Sequence, residues 1–308
     1  MKHILTLLLV FIASFAPALA QPDTAATSHA FYAPAPEENS LLWKISGKDL
    51  KTPSYLYGTI HIIDKDDFFL TDSTRAAIDR ARLVTFEINM DEMMNLPSQL
   101  SLLMKSFMSG NKTLRDLLSN EDYQLVKEHF DKVGMPLFFF ERMKPMFLTV
   151  FADMEITPGG LGGTDADMVS YELKINEIAK SQSKKIGGLE TAEYQMSMFD
   201  SIPYEDQAKM LVESIRSSNA GEEEFKKMVE MYKNQDIHGM VAMMGDEQSL
   251  GGHEDLLLVT RNKNWIPVME EMMKEQPVFF AVGAGHLGGE FGVVALLRKE
   301  GYEVVPVR

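Results

Sequence analysis

Four side chains that could do chemistry stand where short apolar strands are expected to end. They are two histidines and two glutamates, His61, Glu87, Glu190 and His286. Ligands of open α/β sheets bind just outside the carboxyl ends of the strands, so these side chains can converge although they are far apart in the sequence. Two imidazoles and two carboxylates are a plausible ligand set for a divalent metal that activates water, with a remaining carboxylate as general base.

Glycines precede both histidines in a repeated Gly-x-x-His pattern. Gly58 stands before His61, and both Gly283 and Gly285 stand before His286. Glycine lets the backbone turn sharply or approach a ligand closely. A single such motif occurs by chance, and a lone histidine beside a strand is more often a hydrogen-bonded structural residue. The repetition at opposite ends of the chain is what favours a site.

The elements that must position these residues can be read from the apolar pattern. Strands are expected at 41–45, 54–63, 83–88, 185–189, 277–282 and 302–307. Most of the chain between 90 and 274 has helical spacing, including a helix capped by Thr164 and Asp165 that runs to about Ser181. We therefore expect an α/β (α+β) fold with a central mixed sheet formed by the N- and C-terminal segments. A large helical insertion would complete a single domain over residues 39–308.

The first twenty residues have the pattern of a secretory signal peptide. A basic start at Lys2 precedes an apolar run from Ile4 to Phe15, and Ala18-Leu19-Ala20 has the small-x-small pattern that signal peptidase accepts. The apolar run is too short for a permanent membrane span, so an uncleaved anchor is the weaker alternative. We expect cleavage after Ala20, a disordered leader over residues 21–38, and a periplasmic or secreted protein without stable membrane insertion.

Composition excludes several classes of function. The chain has 45 acidic and 30 basic residues, a net charge of −15, and no cysteine. An acidic protein is a poor ligand for nucleic acid, and without cysteine there can be no thiolate metal site, disulfide or cysteine nucleophile. The 22 methionines include several at helical spacing, which indicates core or groove packing more than copper binding. The oligomeric state stays open.

Four motifs stand out along the chain: YGTIH at 57–61, GLET at 188–191, Arg261-Asn262, and VGAGHL at 282–287. They occur in the order seen in the TraB/GumN family, which includes the Tiki metalloproteases, and the chain resembles that family from about 42 to 307. The resemblance implies the α/β arrangement shared with erythromycin-esterase-like and ChaN-like proteins. It also implies a metal-dependent site that contains His61, Glu87 and His286, with Mn or Co as the metal and Zn as an alternative.

The resemblance extends to three further positions. Asp165 matches the family's Gly-x-Asp motif, although a helix N-cap is an equally good interpretation. Arg261 and Asn262 match its Arg-Asn pair, and they are expected to face a carbonyl oxygen as charge develops on it. The alternative for Arg261 is a structural salt bridge.

Two functions follow from these residues. The first is an exported metal-dependent hydrolase acting on a peptide or protein substrate, in which Glu190 orients water or takes its proton. The second is a non-catalytic periplasmic binding protein for a peptide, a haem-like ligand or a metal. A haem site needs one or two histidines and leaves both glutamates unexplained, so the sequence favours the hydrolase.

Overall fold

The computed structural model describes residues 32–152, 156–157, 160–161, 168–216, 218–244 and 255–308. The predicted signal peptide, most of the predicted leader and Asp165 lie outside these residues. The chain divides into two compact units. Of the described residues, the larger unit contains those in 32–91, 168–191 and 226–308, and the smaller unit contains those in 92–161 and 192–225.

The strands follow the apolar segments of the sequence. In chain order they are β1 (Leu42–Ser46), β2 (Ser54–Thr59), β3 (Ile62–Asp64), β4 (Leu83–Ile88), β5 (Ile156–Thr157), β6 (Gly160–Leu161), β7 (Met168–Ser170), β8 (Lys185–Glu190), β9 (Val278–Gly283) and β10 (Glu303–Val307). Six of them form the main sheet in the order β10-β1-β2-β9-β4-β8. The pairs β3-β7 and β5-β6 form small antiparallel ribbons.

The main sheet is mixed, which confirms the predicted fold class. Strand β1 runs antiparallel to β2 and to β10. Strands β2, β9, β4 and β8 are parallel to one another. Both β2 and β9 are buried along their whole length, as expected for central strands with continuous apolar sequence. The four parallel strands therefore direct their carboxyl ends to one edge of the sheet.

The helices lie between these strands in the sequence. In chain order they are α1 (Asp72–Arg80), α2 (Met90–Met93), α3 (Leu96–Lys105), α4 (Leu114–Leu117), α5 (Asn120–Lys132), α6 (Pro145–Ala152), α7 (Tyr171–Ser181), α8 (Ala192–Asp200), α9 (Tyr204–Arg216), α10 (Ser218–Lys233), α11 (Ile237–Met244), α12 (Thr260–Glu275) and α13 (Val293–Lys299). Short 3₁₀ turns occur at Leu137–Phe139 and Ala284–His286, and a π-helical turn at Asp255–Val259 precedes α12. None of the described helices is both long and apolar enough to cross a bilayer.

The smaller unit is built mainly from helices that pack through apolar side chains and buried amides, one of which joins three segments. Gln207 on α9 is fully buried. It donates to the carbonyl oxygens of Phe199 and Ile202 at 2.8 and 2.9 Å and accepts from the Met146 N–H at 3.3 Å. A buried amide that is satisfied on both sides ties three segments together without leaving an unpaired polar group.

Two helix boundaries differ from the sequence prediction. The helix expected from Thr164 begins at Tyr171, because Met168–Ser170 pairs with β3 as a strand and the Ser170 hydroxyl then caps the first turn. The apolar pattern of residues 289–300 also predicts a helix, and that helix begins at Val293. Gly289 has a φ of +76°, a left-handed conformation that a helix cannot include.

Candidate functional site

The four residues predicted to converge lie at the carboxyl ends of the four parallel strands. His61 follows β2, and His286 ends the 3₁₀ turn that follows β9. Glu87 is the penultimate residue of β4, and Glu190 is the last residue of β8. The strand order β2-β9-β4-β8 therefore places the two histidines on neighbouring strands and the two glutamates on the next two.

Gly283 marks the point where three of these side chains meet. A Cβ atom built on Gly283 would lie 3.5 Å from His61 Nε2, 3.4 Å from Glu87 Oε1 and 3.6 Å from His286 Cδ2. The Gly283 N–H donates to Glu87 Oε1 at 2.8 Å. The absence of a side chain here keeps the space between the two imidazoles and the carboxylate open.

Arg261, on the first turn of α12, lies among the same groups. Its Nη2 donates to Glu87 Oε2 at 2.5 Å and to Glu190 Oε1 at 2.6 Å, while its Nε donates to Glu190 Oε1 at 2.9 Å. Its Nη1 contacts His286 Nε2 and donates to the Leu257 carbonyl oxygen, both at 3.2 Å. The guanidinium is therefore the counter-charge for two largely buried carboxylates.

Asn262 fixes the His286 ring through a hydrogen bond at Nδ1. The Nδ1 of His286 lies 2.6 Å from Asn262 Oδ1, and Asn262 Nδ2 donates to the Phe291 carbonyl oxygen at 2.9 Å. Because that amide oxygen can only accept, His286 carries its proton on Nδ1 and Nε2 has the lone pair. Burial lowers the pKa of His286 to about 3, so the ring is neutral at physiological pH.

His61 is held in the same manner by a residue that the sequence did not single out. Its Nδ1 lies 2.9 Å from Glu172 Oε1, on the first turn of α7. The His61 side chain is 29% exposed, against 6% for His286. Burial by itself would lower the pKa of His61, but the Glu172 carboxylate outweighs burial and the pKa is raised.

The two glutamates differ in their surroundings. Burial would raise the pKa of Glu87, but the positive charge of Arg261 and the Gly283 N–H hold that pKa far below its ordinary range. For Glu190, burial prevails and its pKa is raised even though Arg261 lies against it. Glu190 Oε2 also accepts from the Trp265 indole N–H at 2.9 Å, and its side chain is 4% exposed.

The donor atoms of these residues, imidazole nitrogens and carboxylate oxygens, are of the kind that bind a divalent ion. Among the described residues, no group of three or more His, Asp or Glu side chains is already arranged around a common ion position. His286 Nε2 and Glu87 Oε1 are 3.8 Å apart, within the span of two metal–ligand bonds of about 2.1 Å each. Binding at His286 Nε2 requires the Arg261 N–H to leave that nitrogen. Once Arg261 has left, the lone pair of His286 Nε2 is available to an ion beside Glu87.

The remaining predicted residues fall into three groups. Gly58 lies against the turn after β9, and a Cβ there would come within 2.6 Å of Leu287 Cδ1 and 3.0 Å of Ala284 Cα, so its role is close packing. Gly285 lies inside the 3₁₀ turn that carries His286. Asp165 lies outside the described residues, and its proposed role stays a prediction.

Glu172 and Trp265 are the site residues for which the sequence analysis assigned no role. A glutamate in the first turn of a helix usually has a simple interpretation as a favourable charge near the helix N-terminus. The Trp265 ring lies 4.5 Å from the His286 ring and 4.8 Å from the Arg261 guanidinium. Its spacing of four residues after Arg261, on one helical face, is the signal that could have indicated it.

The chain is similar to known proteins over most of its length. Residues 41–306 match the model of the TraB/PrgY/gumN family. Among the relatives, "Metalloprotease TIKI1" of Danio rerio is 24% identical over 88% of this chain and 64% of its own length. "Metalloprotease TIKI2" of Danio rerio is 23% identical, over 86% of this chain and 60% of its own, and "Metalloprotease TIKI1" of Homo sapiens is 22% identical, over 87% and 62%. The chain thus spans about six-tenths of the length of these relatives. No solved structure matches it.

The family model covers nearly all of the main sheet and every described site residue. The chain therefore belongs to the TraB/PrgY/gumN family.

Proposed function

We propose that this protein is a metal-dependent peptidase in which His61, Glu87 and His286 hold a divalent ion. One observation carries the proposal: both imidazoles are bound at Nδ1 by an acceptor, and both have Nε2 near Glu87. His61 Nε2 lies at the open space beside Gly283 and Glu87 Oε1, and His286 Nε2 lies 3.8 Å from Glu87 Oε1. Histidine ligands of metals characteristically donate their second N–H to such an acceptor, which fixes the ring and its tautomer. Two histidines with purely structural roles would not be expected to lie with their Nε2 atoms near the same carboxylate.

The charge of the site favours a cation. Glu87 and Glu190 share the single positive charge of Arg261, so these three groups carry a net charge of −1. Glu172 adds a further carboxylate behind His61. A bound divalent ion would supply the Lewis acidity that polarises a carbonyl group and makes water a nucleophile near neutral pH.

Arg261 is the group that we assign to the substrate carbonyl oxygen. Among the described residues its Nη1 makes two longer contacts of 3.2 Å, to His286 and to a backbone carbonyl, whereas Nη2 and Nε are held at 2.5–2.9 Å by the two glutamates. Nη1 is therefore the donor that can most easily turn toward a developing negative charge. Asn262, which the sequence paired with Arg261 for this task, instead has its amide oxygen on His286 and its amide nitrogen on Phe291.

Glu190 is predicted from the sequence to take the proton of water. In the structure its Oε1 accepts from Arg261, its Oε2 accepts from Trp265, and its side chain is 4% exposed. Glu87 is more exposed, at 15%, and lies at the opening around Gly283. We therefore propose that Glu190 acts through Arg261, by fixing the guanidinium, and that Glu87 is the carboxylate that meets the ion.

The substrate class rests on the relatives, whose names describe metalloproteases, and on the absence of any basic surplus that would favour nucleic acid. We propose a peptide or protein substrate. We also propose, on the pattern of the first twenty residues, that the protein is exported and that its mature form works in the periplasm or outside the cell.

The experiment that tests this function combines metal binding with cleavage. The purified protein is stripped with a chelator, titrated with Mn²⁺, Co²⁺ and Zn²⁺ by calorimetry, and incubated with a peptide library that is read by mass spectrometry. We expect one ion per chain and cleavage that disappears with chelator and returns with the ion. Retention of peptides without cleavage, with or without the ion, would support the binding-protein alternative instead.

His61→Ala and His286→Ala provide the matched variants. If both rings hold one ion, removing either leaves an incomplete ligand set, so the losses of affinity in the single variants should not add in the double variant. Wild-type cleavage in a folded double variant would refute the proposal.

A further inference from the structure

We infer that Glu172 is a positioning residue that holds His61 as the tautomer with its lone pair on Nε2, the nitrogen that faces Gly283 and Glu87. The inference deepens the proposed function, because it concerns a group behind one proposed ligand. It adds a residue that neither the strand-end pattern nor the motifs contain. Glu172 touches His61 and has no contact of its own with the opening at Gly283 among those observed, so it acts through the imidazole.

Three hydrogen bonds fix the Glu172 carboxylate. Its Oε1 accepts from the Thr59 hydroxyl at 2.6 Å and meets His61 Nδ1 at 2.9 Å, while its Oε2 accepts from the Ser170 hydroxyl at 3.2 Å. The side chain is 8% exposed. A carboxylate oriented by two hydroxyls can only accept from the ring, so the proton of His61 is held on Nδ1.

The pairing of β3 with β7 brings this carboxylate to His61. Strand β3 begins immediately after His61 and pairs antiparallel with β7, with Ile62 opposite Ser170. Glu172 follows β7 by two residues, in the first turn of α7, where a negative charge is favoured by the helix N-terminus. The three-residue ribbon thus places the residue after His61 beside the residue that caps α7. Thr59, two residues before His61, completes the arrangement from β2.

The two histidines differ in the charge of the acceptor behind them. His61 is backed by a carboxylate, whereas His286 is backed by the neutral amide of Asn262. A carboxylate at Nδ1 makes the opposite nitrogen a stronger electron-pair donor, and loss of such an outer partner commonly weakens metal binding by about 10–100-fold. His61 should therefore be the stronger of the two imidazole donors, and its strength should depend on Glu172.

The first measurement needs no metal. In chelator-treated, ¹⁵N-histidine-labelled protein, NMR distinguishes a ring protonated on Nδ1 from one protonated on Nε2, and the spectrum of His61→Gln assigns the His61 signals among the seven histidines. We expect the neutral His61 ring to carry its proton on Nδ1 in the wild type and in Glu172→Gln, whose amide oxygen can still accept. In Glu172→Leu, which has no acceptor, the proton should move to Nε2.

The second measurement is metal affinity. We expect Glu172→Gln to bind Mn²⁺ about tenfold more weakly than the wild type, because the charge behind His61 is lost while the shape is kept. The matched control is Glu177→Gln on the same helix, whose carboxylate is exposed and pairs only with Lys174 in the observed contacts. That variant should bind Mn²⁺ as the wild type does. If Glu172→Leu fails to fold, Glu172→Gln decides alone.

The two measurements separate this inference from the function. A wild type with the proton on Nδ1 that binds no ion would refute the metal site and leave the role of Glu172 standing. A wild type with the proton on Nε2 would overturn the role of Glu172 whether or not an ion binds. Equal Mn²⁺ affinities of Glu172→Gln and Glu177→Gln, in a protein that does bind the ion, would overturn it as well.

Discussion

Asn262 accepts a hydrogen bond from His286 Nδ1 at 2.6 Å and thereby fixes both the orientation and the tautomer of a buried imidazole. The other end of the amide donates to the Phe291 carbonyl oxygen. Since both residues are almost fully buried, neither partner can turn to water if the other is removed. The Arg-Asn motif thus joins one residue that balances the charge of the glutamates to another that holds a histidine.

Asn262→Ala should lower both stability and metal affinity. The variant leaves the His286 N–H and the Phe291 carbonyl without their partner, at a cost of about 1–3 kcal/mol in the free energy of unfolding. It should also weaken Mn²⁺ binding by about tenfold or more, because the ring is no longer held in its tautomer. Urea unfolding and calorimetry measure the two effects. Glu271→Ala, at an exposed position on the same helix, is the control and should change neither by much.

Gly283→Ala should lose metal binding and keep its stability, whereas Gly58→Ala should lose stability. At Gly283 the φ is −54° and the nearest atoms to a Cβ are 3.4–3.6 Å away, so the fold should tolerate the methyl group with a change of less than about 1 kcal/mol. The methyl would nevertheless occupy the space among His61, Glu87 and His286, so Mn²⁺ binding and cleavage should be lost. Gly58→Ala meets Leu287 and the Ala284 backbone and should destabilise by about 1–3 kcal/mol.

The comparison tests whether the open space at Gly283 is the metal position. Thermal unfolding and Mn²⁺ titration of both variants are sufficient. Full metal affinity in a folded Gly283→Ala protein would show that the ion binds elsewhere or not at all.

The two site histidines should contribute to stability with opposite pH dependence. The pKa of His286 is about 3, below its ordinary 6.5, so as the pH falls through 6.5 the unfolded chain takes up a proton that the folded ring refuses. Its contribution should therefore be lost toward pH 3, by up to about 1.4 kcal/mol per pH unit. The pKa of His61 is raised by Glu172, so its contribution is present below 6.5 and is lost as the pH rises through the raised pKa.

Urea unfolding of the wild type, His286→Gln and His61→Gln in chelator, over about pH 4–8, measures both slopes. The difference in stability between the wild type and His286→Gln should shrink as the pH falls. The corresponding difference for His61→Gln should shrink as the pH rises. Parallel curves for all three proteins would contradict the assignment.

The convergence of His61, His286, Glu87 and Glu190 could be predicted from the sequence because each follows or ends a short apolar strand. Parallel strands share one carboxyl edge, so the argument needs only the local pattern of each strand. The role of Glu172 could not be predicted in this way, since its link to His61 passes through the β3-β7 ribbon, three residues on each side. A pairing of that length leaves no readable alternation.

Arg261 shows a second limit of the sequence. Its position in an Arg-Asn motif indicated an exposed role toward a substrate, while an acidic chain offered many partners for a salt bridge. The structure shows the guanidinium bound to the two glutamates that were assigned separate tasks. Which of 45 acidic residues pairs with one arginine depends on strand order, and no local pattern contains that information.

Export should leave a mature chain that begins at Gln21. The apolar run from Ile4 to Phe15 followed by Ala18-Leu19-Ala20 is the pattern that signal peptidase cleaves. Mass spectrometry of the N-terminal peptide from fractionated bacterial cells that produce the full chain would identify the start. Recovery of a membrane-bound protein that still begins at Met1 would refute the cleavage and support an anchor.

Arg261→Met should convert the protein into one whose stability depends on the ion. The variant removes the guanidinium that binds both Glu87 and Glu190, and breaking a buried ion pair of this kind costs about 3–5 kcal/mol. It also frees His286 Nε2 from the guanidinium. A divalent ion at the proposed position would then neutralise the carboxylates with less competition. We therefore expect added Mn²⁺ to raise the Tm of Arg261→Met by more than it raises the Tm of the wild type, while cleavage stays low because the donor toward the carbonyl oxygen is gone.

Arg115→Met removes an exposed arginine that pairs with Glu141 and serves as the control, with a small loss of stability that Mn²⁺ does not change. If Mn²⁺ leaves the Tm of a folded Arg261→Met protein unchanged, the carboxylates beside Arg261 do not form part of a metal site.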